Sequence, residues 1–111
     1  MEHRFTGPSY TLGIEEELMI VDAETLDLVN SIESLLEAVP DTVGDVKPEL
    51  MESVLEIATT PTANTREAGI QLRDLRNVTQ HVAQERGLTI GAAGTHPFAM
   101  WEDQRIVART R

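Results

Sequence analysis

Apolar and polar residues alternate along this chain in two distinct rhythms. In "YTLGIEEELMIVD" (Tyr10 to Asp22), Leu12, Ile14, Leu18, Ile20 and Val21 call for a core at roughly every second position. That mixed alternation predicts a strand over about residues 10–21. "SVLEIATT", within residues 46–59, is rich in β-branched and apolar residues and predicts a second strand, over about 50–59, ended by Pro61. "LTIGAAGTH" predicts a third, built of small residues, over about 88–95.

Between the second and third strands the rhythm changes. Ala68, Leu72, Leu75, Val78, Val82 and Ala83 recur at helical spacing. Asn64 or Thr65 is placed to cap the N-terminus, Glu67 lies in the first turn, and Gly87 follows the end. The pattern predicts a helix over about 65–86. A shorter helix is expected from Ser31, as the cap, to the stop at Pro40. "DAETLDL" (22–28) is turn chemistry that closes a hairpin with Val29 and its neighbours, and "PDTVGD" reads as a loop. Residues 1–8 read as a loose leader ended by Gly7-Pro8.

The sum is a single β-α-β-α-β segment of α+β class, covering residues 1–111, with a mainly antiparallel or mixed sheet. Helices are expected on one face and the charged strand residues on the other. No glycine-rich phosphate loop follows the first strand, which argues against a doubly wound nucleotide fold.

Charge changes this picture. The net charge is −10. Thirteen acids lie between Gly13 and Glu56, against one base, Lys47; from Ile57 on there are seven arginines and five acids. An acidic first half repels nucleic acid and anionic lipid, and attracts divalent cations. The chain has no cysteine, which removes thiol chemistry and cysteine metal sites from this segment. No apolar run approaches a membrane span and no signal-peptide core is present, so a cytoplasmic protein is expected.

The candidate chemistry lies in the strands. Side chains alternate faces along a strand, so Glu15 and Glu17 project together, roughly 7 Å apart at the backbone. Glu16 projects oppositely, with Ile14 and Leu18. Two carboxylates on one face repel unless a cation lies between them. Hard ions such as Mg²⁺ take oxygen ligands. Solvated carboxylates on an exposed strand are the commoner outcome for an isolated pair. The second strand shifts the balance, because Glu56 stands among apolar and small residues and is costly there unless paired or liganded. Glu49, seven residues earlier, reaches the same face only if the chain bends or bulges near Pro48–Met51. Glu52 is expected in solvent. His96 sits in a turn between Gly94 and Pro97, where it suits a phosphate, a carboxylate, a metal or a structural hydrogen bond. Phe98 and Trp101 are expected to pack.

"GIEEELMIVD", "KPELMESVLEIATTPT", the "LRDLR" helix and "GAAGTHPFAMW" occur in this order. Together they resemble the N-terminal part of the type-2 glutamate–cysteine ligase family, the bacterial carboxylate–amine ligases, from about Tyr10 to the end. The resemblance implies part of a glutamine-synthetase-like catalytic fold. In that fold a curved sheet carries acidic residues that bind Mg²⁺, or Mn²⁺, around ATP as co-substrate. It implies activation of a carboxylate as an acyl phosphate, which an amine displaces to give an amide or γ-glutamyl bond. Glu15 and Glu17 match the first-strand metal ligands, and Glu49 and Glu56 match the acidic positions of the second segment. Thr95 and His96 match a turn near the active site and enter as substrate-binding candidates.

Family members are several times longer, so the resemblance implies the N-terminal part of a larger catalytic domain, inactive alone. The implied partners are a small carboxylate and an amine, with glutamate and cysteine the namesake pair. Neither nucleic acid nor membrane is expected, and a homo-oligomer is possible through open sheet edges. The competing readings are a non-catalytic acidic domain that binds a protein or a divalent cation, and a subunit that completes its site with another chain.

Overall fold

The computed structural model describes residues 10–108. The leader expected over residues 1–8 lies outside the described residues.

Four strands and two α-helices form an α+β unit: β1 (Glu15–Asp22), α1 (Ile32–Ala38), β2 (Asp45–Pro48), β3 (Val54–Ala58), α2 (Thr65–Gln84) and β4 (Leu88–Gly91). The sheet order is β2-β3-β1-β4, and every pairing is antiparallel. Leu18 and Ile20 of β1 and Leu55 and Ile57 of β3 point to one face. There they meet Ile32 and Leu35 of α1 and Leu75, Val82 and Ala83 of α2 in one buried cluster. Both helices therefore cover the same side of the sheet, as the strand alternation requires.

Local chemistry explains the ends of α2. The Asn64 side chain accepts from the Glu67 backbone N–H at 2.9 Å, and the Glu67 carboxylate accepts from the Ala63 N–H at 3.0 Å. Two otherwise orphaned donors are satisfied. At the far end Gly87, with φ +70°, turns the chain into β4. The helix stops at Gln84, two residues short of the expected end. At α1, Ser31 holds the N-cap position but its side chain makes no capping bond. The backbone N–H groups of Ser31 and Ile32 instead donate to the Glu52 carbonyl, both at 3.0 Å.

The strand expectations need three corrections. The first strand begins at Glu15; Leu12 pairs only in an isolated bridge with Thr62. The third ends at Gly91, because Ala92 and the residues after it find no partner strand. The largest change is in residues 45–58, expected as a loop followed by one bent strand. They form a hairpin, β2 and β3, with Lys47 opposite Glu56 and Pro48 opposite Leu55. The order is thus β-α-β-β-α-β. Pro48 is tolerated because β2 is an edge strand. Gly44 makes the entry possible: at φ +90°, a Cβ there would lie 2.5 Å from the Ala58 carbonyl oxygen.

The turn after β1 forms as expected. Asp22 accepts from the Glu24 and Thr25 N–H groups at 2.8 and 2.9 Å, and Val29 returns to donate to the Ile20 carbonyl. Phe98 and Trp101 depart from expectation. Trp101 is 79% exposed and Phe98 53%, since the segment after β4 runs over the surface. Phe98 and the His96 ring meet edge to face, with centroids 4.4 Å apart.

Candidate metal centre

The antiparallel register builds the site. Glu17 stands directly opposite Glu56, and Glu56 directly opposite Lys47, so β1, β3 and β2 contribute one cross-strand row. The next row holds Glu15, Ala58 and Asp45. These carboxylates lie on the face away from the helices. Glu49 lies one residue past the end of β2, two residues after Lys47, and comes to the same face. Carboxylate oxygens of Glu17, Glu49 and Glu56 all lie within 4.8 Å of one another. Glu49 arrives there because the chain reverses between β2 and β3, so the expected bend near Pro48–Met51 takes the form of a hairpin turn.

Three carboxylate oxygens suit a hard divalent cation. Opposite ligands of a Mg²⁺ ion stand about 4.2 Å apart, given Mg–O distances of about 2.1 Å. The trio's oxygens are thus spaced on the scale of such an ion's ligand shell. Without one, Glu17 and Glu56 form a like-charged cross-strand pair, which is unfavourable.

Lys47 offsets part of that charge. Its Nζ is 3.2 Å from Glu56 and 3.8 Å from Glu15. The hydrogen bond and charge of Glu56, with smaller effects of Glu15 and Asp45, hold the Lys47 ammonium above its ordinary 10.5. The Glu56 side chain is only 15% exposed, against 66% for Glu15. The expectation that Glu56 needs a partner is met by Lys47, in sequence the single base of an acidic stretch. That isolation was the available signal. Glu15 shares the face but stands beside Lys47, outside the trio.

Glu16 takes the opposite direction, as strand alternation predicts. The Arg76 guanidinium of α2 grips it with two hydrogen bonds, the Nε bond at 2.8 Å. This contact raises the Arg76 pKa, mainly through the hydrogen bond to Glu16. Glu52, expected in solvent, has a side chain only 19% exposed and lies 3.5 Å from Arg105. It borders a cavity of about 370 Å³ that also includes Asn30, Glu33 and Glu37 but no member of the trio.

Thr95 and His96 are not gathered with the acids. His96 Nε2 bonds the Leu26 carbonyl at 2.7 Å, and Nδ1 accepts from the Phe98 and Ala99 N–H groups at 3.3 and 3.0 Å. With Nδ1 accepting, Nε2 carries the proton. His96 thus ties its own turn to the one after Asp22, at the other end of β1 from Glu15. Thr95 is exposed beside it.

A helix-backed antiparallel sheet whose second face gathers carboxylates defines an acid-bearing α+β segment suited to cation chemistry. The family model described as "Glutamate-cysteine ligase family 2(GCS2)" matches residues 11–111, and the chain belongs to that family. It is 39% identical over 112 residues to "Putative glutamate--cysteine ligase 2-1" of Rubrobacter xylanophilus, covering 100% of this chain and 30% of that protein. It is 39% identical over 112 residues to "Putative glutamate--cysteine ligase 2" of a Jannaschia species, with the same coverage of 100% and 30%. The like-named protein of Sorangium cellulosum is 43% identical over 100 residues, 87% of this chain and 27% of the relative. The chain thus spans under a third of the length of these relatives. Among the described residues, no helix is long and apolar enough to cross a membrane.

Proposed function

We propose that this chain supplies part of the metal site of an ATP-dependent carboxylate–amine ligase of the glutamate–cysteine ligase type. The observation that carries this reading is the convergence of Glu17 of β1, Glu56 of β3 and Glu49, just past β2, onto one point. Membership of the family, and the printed names of its relatives, supply the reaction class.

On this reading Glu17, Glu49 and Glu56 hold Mg²⁺ or Mn²⁺, and Glu15 adds negative charge at the rim. A cation held there would supply positive charge against the nucleotide phosphates and the transferred phosphoryl group. The chain's own part is to fix the carboxylates on a rigid sheet, so that little reorganisation is needed at the moment of transfer. The reaction forms an amide or γ-glutamyl bond through an acyl phosphate. Neither a nucleophilic side chain nor a cysteine is required of the protein. The groups that grip ATP and the amine belong, on this reading, to the remaining part of a family-length protein. The 111-residue chain alone then releases no phosphate from ATP. Thr95 and His96 are not ligands of the cation on this reading; they remain substrate-binding candidates, in a turn that His96 ties to the Leu26 carbonyl.

The test is Mn²⁺ titration of the chain, followed by water-proton relaxation. Binding by the native chain that is lost in Glu17→Gln and Glu56→Gln supports the reading. Equal binding by all three removes it. In a protein of the relatives' length carrying this segment, phosphate release from ATP should require glutamate, or another carboxylate, together with an amine.

A further inference from the structure

The acidic face carries its own cation. Lys47 is the only base between Gly13 and Glu56, and the β2–β3 register sets it opposite Glu56. Its Nζ lies 3.2 Å from a Glu56 oxygen and 3.8 Å from Glu15. Glu56 is therefore shared: it belongs to the trio with Glu17 and Glu49, and it is also the main partner of Lys47. An ammonium and a divalent ion that meet on one carboxylate repel each other and compete for its lone pairs.

We propose that Lys47 is a tethered counter-ion that competes with the divalent cation for Glu56 and so sets the affinity of the site. This rests on the metal-site reading given above. In the ion-free state Lys47 offsets the repulsion between the facing Glu17 and Glu56 and holds Glu56 in place. On binding, the cation must draw electron density from a carboxylate that Lys47 already engages. Lys47 is 43% exposed at the side chain, so it can swing into solvent when the cation arrives. Its effect is a fixed penalty on cation affinity. That penalty keeps the face unoccupied until a second ligand, such as a phosphate group, adds its own attraction.

The experiment is Mn²⁺ titration of the chain by water-proton relaxation and calorimetry, with far-UV circular dichroism as the check on folding. The variants are Lys47→Met, Lys47→Gln, Lys47→Arg and Glu17→Gln. Both neutral variants should bind Mn²⁺ roughly five- to tenfold more tightly, the scale of one charge removed at a partly solvated contact. Lys47→Arg keeps the charge and should stay near the native affinity. If Glu17→Gln weakens binding but the neutral Lys47 variants bind as the native chain does, the counter-ion role is overturned and the metal site stands. If Lys47→Arg tightens as much as Lys47→Met, charge is not the cause and the role is again overturned. If neither the native chain nor Lys47→Met binds Mn²⁺, the metal-site reading fails and the counter-ion role fails with it.

Discussion

Glu17 of β1 and Glu56 of β3 are direct partners across the antiparallel ladder, two like charges facing each other on the side of the sheet away from the helices. Facing carboxylates cost on the order of 0.2–1 kcal/mol relative to neutral pairs. In the absence of divalent ions, Glu17→Gln should therefore stabilise the chain by a few tenths of a kcal/mol. Added Mg²⁺ should raise the melting temperature of the native chain and leave that of Glu17→Gln unmoved. Thermal unfolding at several Mg²⁺ concentrations reads both effects, and a Mg²⁺ response retained by the variant would count against the trio.

Glu16 provides the contrast. It differs from its neighbours by one position and by face, and it is held by Arg76 rather than turned to the acidic cluster. Glu16→Gln should leave Mn²⁺ binding intact and cost about 0.5–1 kcal/mol of stability, the upper range for a partly exposed two-bonded ion pair. Urea unfolding and Mn²⁺ titration of the same variant separate the two roles.

Gly44 tests the hairpin that delivers Glu49. Its φ of +90° and the close Ala58 carbonyl leave no room for a Cβ. Gly44→Ala should destabilise the chain by about 2 kcal/mol or more, from positive-φ strain and the forced displacement of β2. Because β2 carries Lys47 and leads to Glu49, cation binding should weaken as well. Urea unfolding gives the first effect, calorimetry the second.

Stability should depend on pH at both ends through named groups. The Thr25 N–H, then the Glu24 N–H, hold the Asp22 carboxyl below its ordinary 3.8. A carboxyl with a depressed folded pKa contributes stability above its unfolded value and loses it as pH falls through the folded one. Asp22→Asn should thus flatten the acid limb of the stability profile below about pH 4. Lys47 has the opposite sign. Its raised pKa gives stability that is complete below 10.5 and is lost as pH rises through the folded value. Lys47→Met should flatten the alkaline limb. Urea midpoints measured across pH for both variants check the two directions.

The alternation of Glu15, Glu16 and Glu17 with Leu18 and Ile20 determined, from the sequence alone, which glutamates share a face and which one turns to the helices. That followed because side-chain direction in a strand is a local property of the backbone. The cap at Asn64, the apolar stripe of α2 and the turn after Asp22 were legible for the same reason: each is settled by residues within a few positions of one another. The β2 strand was not legible. Its four residues carry no pattern of their own, and they are a strand only because β3 pairs with them. Pairing between segments depends on register, which no local rule supplies. The exposure of Phe98 and Trp101 was equally hidden, since burial depends on what else packs nearby. The same limit hid the order of the acidic face. Sequence spacing put Glu15 and Glu17 forward as one pair, and only the antiparallel registers set Glu17 against Glu56, brought Glu49 around the hairpin, and placed Lys47 between Glu56 and Glu15.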